Sequence, residues 1–193
     1  MANRIRDVQV VNHRLDPHEA ELRVIVELAE MSGETQIKGR LMGPRSVYSS
    51  TVEIAYSLKE IERTNPIVLS AVIPEPCWWE PKTPFLYQGP LEVWQDGVLC
   101  DRRELSHGIR NLQWTPKGLR LNGRPFVLRG KAVESPFDEG RVRQWHDDGI
   151  NVLLPTSNEA LPDTGLSALA DRFGFFVMDA VGFTSLGGNL ETT

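Results

Sequence analysis

Two carboxylates stand where the chain could place chemistry. Glu134 ends the strand-like run "RGKAVE" and Asp179 ends "FFVMD". Acids at the ends of neighbouring strands could face each other as a general acid/base pair. They could equally be two solvated strand-end charges. A third acid, Glu159 in "SNEALPD", reads as a polar loop approaching a helix, where the helix N-terminus favours its charge. Trp78 and Trp79 are adjacent, so alternation along an extended segment sends one of them outward. Trp78 is the candidate for an exposed stacking surface.

Other reactive residue types form no constellation. His13 and His18 have a spacing that no helix supports, and His146, beside Asp147 and Asp148, reads as the exposed end of a helix. Cys77 and Cys100 match no metal-binding spacing; they could form a disulfide with each other, and two free, partly buried thiols are the favoured reading. "RGKAV" lacks the glycines with which backbone amides cradle phosphate. No cofactor and no metal are expected.

The elements that must position these residues come in two styles. Up to Arg110 the chain alternates short apolar runs with turn signals. "AELRVIVELAE" puts Leu22, Val24, Val26 and Leu28 on one face, "STVEIAYSL" alternates Val52, Ile54 and Tyr56 with other residues, and Asp96-Gly97 is a strong hairpin signal. Seven such runs predict an antiparallel immunoglobulin-like β-sandwich over residues 1–110. Residues 111–128 read as two tight hairpins, turned at Pro116-Lys117-Gly118 and Asn122-Gly123. Residues 129–193 then read as strand, helix, strand, helix, strand, which implies parallel pairing with right-handed crossovers. The first helix, "DEGRVRQWHDDG", opens on acids and closes at Gly149; the second, "LPDTGLSALADRFG", stops at Gly174. The expected fold class is mainly β with α/β: a sandwich followed by a partial, three-stranded barrel-like unit.

Composition narrows the function classes. The 193 residues are 40% hydrophobic and 24% charged, with a net charge of −5 and no block of like charge. That is a globular composition able to bury a core, without the basic footprint of nucleic-acid or anionic-membrane binding. No apolar run reaches the length of a membrane span. "MANRIRDVQVVNHRLD" lacks the apolar stretch of a signal peptide, so a natural chain of this kind is expected in the cytoplasm.

The middle of the chain resembles the junction between two domains of family 2 glycoside hydrolases, the β-galactosidase, β-glucuronidase and β-mannosidase group. A Trp-x-Pro-x-x-Pro-x-Leu-Tyr signature is matched by Trp79, Pro81, Pro84, Leu86 and Tyr87. An acidic residue before a Gly-x-Arg element is matched by Asp101, Gly108 and Arg110. A Leu-Asn-Gly-x-Pro-x-x-Leu-x-Gly hairpin is matched by Leu121, Asn122, Gly123, Pro125, Leu128 and Gly130. "GIN" at 149–151 and "LADRFGFFVMD" at 169–179 resemble the second and third strands of the family's barrel. The similarity runs from about residue 75 to 180.

The resemblance implies a retaining mechanism with two glutamates, one after the fourth barrel strand and one after the seventh. Three strands are read here, so neither glutamate is expected within this sequence, and no catalytic residue is assigned. The substrate-facing positions also depart from the family pattern. Ala132 and Glu134 stand for its Asn and His, Leu154 for its arginine, His107 for an aromatic, and Asp179-Ala180 keeps one acid of a pair. Trp79 and Tyr87 are read as packing, and Arg110 as pairing with a carboxylate at the seam between the two units. The expected function is a non-catalytic module of a carbohydrate-processing protein. The alternatives are a part of an active β-glycosidase and a carbohydrate-binding or adhesion module in which Trp78 stacks on sugar. Carbohydrate is the candidate ligand, nucleic acid and membrane are not expected partners, and the incomplete barrel is expected to fold back on the sandwich or self-associate.

Overall fold

The computed structural model describes residues 4–31, 34–134, 138–156 and 165–178. It is mainly β, with antiparallel sheets and a small parallel sheet flanked by two helices. Strands β1 (Ile5–Leu15), β2 (Glu19–Leu28), β6 (Ile67–Pro74) and β5 (Lys59–Glu62) lie side by side in one sheet, in that order. A second sheet runs β4 (Ile54–Ser57), β3 (Thr35–Arg45), β7 (Leu86–Gln95), β8 (Val98–His107). The alternation in β2 does what its pattern requires: Ala20, Leu22, Val24, Val26 and Leu28 point inward and are buried. They meet Leu41, Tyr87, Leu91, Val93 and Leu105 from the second sheet in one apolar core. Hydrocarbon removed from water between the two sheets is the main stabilising term here.

The strand count differs from the sequence reading. Among the described residues eight strands build the two sheets, because β5, just beyond the stretch "STVEIAYSL" read as a strand, is an additional one. β4 pairs with β3, then the chain crosses at Leu58 and β5 pairs with β6 in the other sheet. β5 is "KEIE", exposed throughout, and carries no apolar alternation to announce it. Val52 lies outside any strand and is 85% exposed, and Ile54 is exposed too. Only Tyr56 and Leu58 of that stretch pack on the core.

The two hairpins form a three-stranded sheet of β9 (Leu112–Thr115), β10 (Gly118–Leu121) and β11 (Arg124–Pro125). Asn122 and Gly123 both have positive φ, 50° and 77°, as the expected turn demands. The parallel sheet holds β12 (Gly130–Val133), β13 (Val152–Pro155) and β14 (Phe176–Val177), with β13 in the middle. Helix α1 (Glu139–Asp147) links β12 to β13; Asp138 caps it by accepting from the Gly140 and Arg141 amides. Helix α2 (Leu166–Phe173) precedes β14. Among the described residues no helix is long and apolar enough to cross a membrane.

Each face of the parallel sheet has its own cover. On one side Val133, Leu153 and Val177 pack against Val142, Leu166, Ala170 and Phe173 of the helices. On the other, Val152 and Phe176 pack against Trp79 and against Leu112, Leu119 and Leu121 of the hairpin sheet. The hairpins therefore cover part of the apolar face that three strands alone would leave open.

Candidate functional site

In barrels of parallel strands, chemistry sits at the C-terminal strand ends. Val133 pairs with Pro155, and the Thr156 amide donates to the Val133 carbonyl at 3.1 Å, so β12 and β13 finish level. Glu134 is the next residue and is exposed. Asp179 and Glu159 lie outside the described residues, so no geometry joins either of them to Glu134. Ala132 pairs with Leu154, and the Met178 amide donates to Leu153 at 3.0 Å, which brings Ala132, Leu154 and Met178 to one level of the sheet. That level presents hydrocarbon. A groove of about 400 Å³ runs along β12 on the α1 side, lined by Lys131, Glu134, Arg141, Gln144, Trp145 and Thr156 among others. The Lys131 ammonium lies 5.7 Å from the centre of the Trp145 ring.

Trp78 is half-buried and packs against the sandwich core, while Trp79 is completely buried. The strongly exposed tryptophan is Trp114 on β9, 61% accessible. Both cysteines are free thiols. Among the described residues no group of three or more His, Cys, Asp and Glu could hold a metal ion.

The buried polar groups gather elsewhere, at the seam between sandwich and α/β unit. Arg110, 4% exposed, sets Nη1 2.9 Å from Asp171 Oδ1 on α2. Its guanidinium lies 4.5 Å from the centre of the Trp79 ring and 5.8 Å from that of Phe176. Trp79 Nε1 donates to the Asp171 carbonyl at 2.8 Å. Burial pushes the Asp171 carboxyl above the usual carboxylate range, and Arg110 pulls it back only in part. Asn122 adds two bonds: its Oδ1 accepts from the Asn111 amide at 2.8 Å, and its Nδ2 donates to the Trp79 carbonyl at 3.0 Å. It is thus a seam residue as well as a turn residue.

A second group closes the other side of the seam. His146 Nε2 donates to the Pro81 carbonyl at 2.9 Å, and its ring stacks on Tyr48 with centres 4.1 Å apart. The sequence reading put this histidine at an exposed helix end. It is instead half-buried, because α1 turns that face toward the sandwich. The Tyr48 hydroxyl donates to the Phe173 carbonyl at 3.3 Å, and burial raises its pKa to about 12. Beside this contact lies a cleft of about 940 Å³ bordered by Lys82, Arg124, Phe126, Arg129, Asp147 and Asp148.

Behind Arg110 the polar chain continues into the sandwich. Asn12 of β1 donates from Nδ2 to the Arg110 carbonyl at 2.9 Å. Its Oδ1 then accepts from His107 Nε2 at 2.8 Å, which fixes the neutral imidazole with its proton on Nε2. Burial, with Arg110 nearby, pushes the His107 pKa down to about 3. Sequence reasoning missed Asn12. The available signal was its phase: it shares the inward side of β1 with Val8 and Val10, where a polar residue needs a partner.

Comparison with known proteins places this architecture. The model of the family described as glycosyl hydrolases family 2 matches residues 3–110. A β-galactosidase of Bacteroides ovatus, BoGH2A, is 29% identical over 119 residues, 55% of this chain and 14% of that one. A β-galactosidase of Thermoanaerobacter pseudethanolicus is 27% identical over 129 residues, covering 65% of this chain and 17% of its own. Among solved structures, a Bifidobacterium dentium β-glucuronidase superposes with a TM-score of 0.70 at 18% identity, over 92% of this chain and 30% of that one. A Bacteroides vulgatus β-glycosidase gives 0.68 at 18% identity, over 92% and 24%. The chain therefore spans about a seventh of the first curated relative and less than a third of these solved ones.

Proposed function

This chain belongs to glycosyl hydrolase family 2, and on that premise we propose that residues 1–193 are an immunoglobulin-like sandwich joined to the opening strands of a β/α barrel, acting as a scaffold module and not as a cleavage site. One observation carries this reading. Among the described residues Arg110 and Asp171 pair at the seam, whereas one level near the C-terminal ends of the parallel strands presents Ala132, Leu154 and Met178, and Glu134 beyond it is exposed to solvent. Retaining cleavage needs two carboxyl groups about 5–5.5 Å apart at strand ends. The family resemblance assigns that pair to later strands than the three held in this sequence. Purified polypeptide should give no turnover above buffer on aryl β-galactosides, β-glucuronides or β-mannosides. Turnover that co-purifies with it and disappears in Glu134→Gln would overturn the reading.

A second reading is favoured by the coverage: residues 1–193 work as one part of an active β-glycosidase. Expression of any continuation of the reading frame beyond codon 193 separates the two, since only this reading expects turnover from the longer product. The half-buried position of Trp78 weighs against a third reading as a sugar-binding module, which glycan binding lost in Trp78→Ala would restore. Among the described residues β12 and β14 each pair on one side only, which supports self-association through those edges. Light scattering across a concentration series tests it, and a monomer throughout would refute it.

A further inference from the structure

Beside the seam, His107 is a buried imidazole that donates to Asn12, which in turn holds the Arg110 carbonyl. We propose that His107 makes the joint between the sandwich and the α/β unit acid-sensitive: protonating its ring puts a second positive charge at the buried end of the polar chain His107–Asn12–Arg110–Asp171 and loosens α2 and β14 from the sandwich.

The geometry leads there in steps. His107 ends β8 and is buried. In its neutral form it is a donor to Asn12, and Asn12 in turn holds the backbone carbonyl of Arg110. Arg110 reaches the next unit, where its guanidinium meets Asp171 and its face lies over Trp79 and Phe176. The charge that acts on His107 is the Arg110 guanidinium. From β7, its register partner Tyr87 is also buried, with the hydroxyl already accepting from the Cys77 amide at 3.0 Å. On β1, the residue after Asn12 is His13, which is exposed and held at 2.6 Å by Arg23. Asp171 lies behind Arg110 on α2. A proton added to Nδ1 therefore places a second positive charge near Arg110 inside the protein, with a new N–H to satisfy. Opening the joint to water relieves both.

The sign follows from linkage. A histidine whose closed-state pKa is lowered binds more protons when open, so the joint is firm above the ordinary pKa near 6.5 and weakens as pH falls below it. With a closed-state value of about 3, the opening constant rises about 25-fold between pH 7 and pH 5. This inference holds whether residues 1–193 act alone or within a longer chain.

Amide hydrogen exchange on the whole polypeptide, corrected for intrinsic rates, tests it. Peptides spanning 107–112 and 170–177 report the joint, and β2 reports global opening. The expected result is a joint opening constant that rises about 25-fold from pH 7 to pH 5, with the joint exchanging ahead of β2 at pH 5. In His107→Gln, which keeps a donor for Asn12 but cannot titrate, the rise should vanish. Three results overturn the proposal: a flat profile in the wild type, an equal rise in His107→Gln, or joint and β2 exchanging at one common rate at pH 5. If the variant fails to fold, the wild-type profile and the joint-to-β2 comparison still decide.

Discussion

Arg110 and Asp171 come from different units and meet with Nη1 2.9 Å from Oδ1, one group 4% exposed and the other 20%. The contact is a joint. Removing one partner strands the other, and that asymmetry makes it testable. Arg110→Met should cost about 3 kcal/mol in urea unfolding, since the lost partner leaves a largely buried carboxylate. The double variant Arg110→Met/Asp171→Leu should recover part of that loss. Equal stability of single and double variants would show that the charges are not coupled. The pH dependence has a definite sign. Asp171 has a raised folded-state pKa, so its contribution is fully present below the ordinary carboxylate value and is lost as pH rises through the raised one. Without Arg110 that loss should steepen, making Arg110→Met most damaging toward neutral pH.

Gly174 ends α2 with φ at 85°, and a Cβ there would lie 2.1 Å from the Pro81 carbonyl oxygen. Gly174→Ala should therefore cost about 3 kcal/mol or more, the left-handed backbone adding about 1–2 kcal/mol to a clash between backbones. A loss near 1 kcal/mol in chemical denaturation would mean that the Pro81 segment gives way and that the seam is soft.

Asn122 separates turn from seam. Asn122→Gly keeps access to positive φ but removes the bonds to Asn111 and Trp79. A loss of about 1–2 kcal/mol is expected, with Asn122→Asp falling between glycine and the wild type because it retains the acceptor. An Asn122→Gly protein as stable as the wild type would reduce the residue to its turn.

His146 holds Pro81 by one hydrogen bond and Tyr48 by stacking. His146→Phe should lose about 1 kcal/mol, the bond alone, and His146→Ala about 2–3 kcal/mol, bond and ring together. Equal losses in thermal unfolding would show that the stacked ring contributes nothing.

Features that depend on neighbours along the chain are legible in the sequence. Alternation places Leu22, Val24, Val26 and Leu28 inward, Asn122-Gly123 announces its turn, and Asp138 with Gly149 bounds α1. These follow from periods of two and 3.6 and from local backbone preferences. The family resemblance also implies that Arg110 pairs with a carboxylate at the seam, and Trp79 is read as a packing residue. Where local signals are silent, the reading fails. The all-exposed β5 forms only because β6 offers it an edge, and His146 is covered only because α1 docks on Tyr48.

By itself, then, the sequence determined most of the elements, their order and the family to which the chain belongs. Tertiary structure decided where the polar residues went. Asn12 and His107 are 95 positions apart, and Arg110 and Asp171 belong to separate units. Nothing in the local pattern can pair such residues, since their partners are chosen by how whole sheets and helices pack. Burial then demands that every polar group reaching the seam find a partner there.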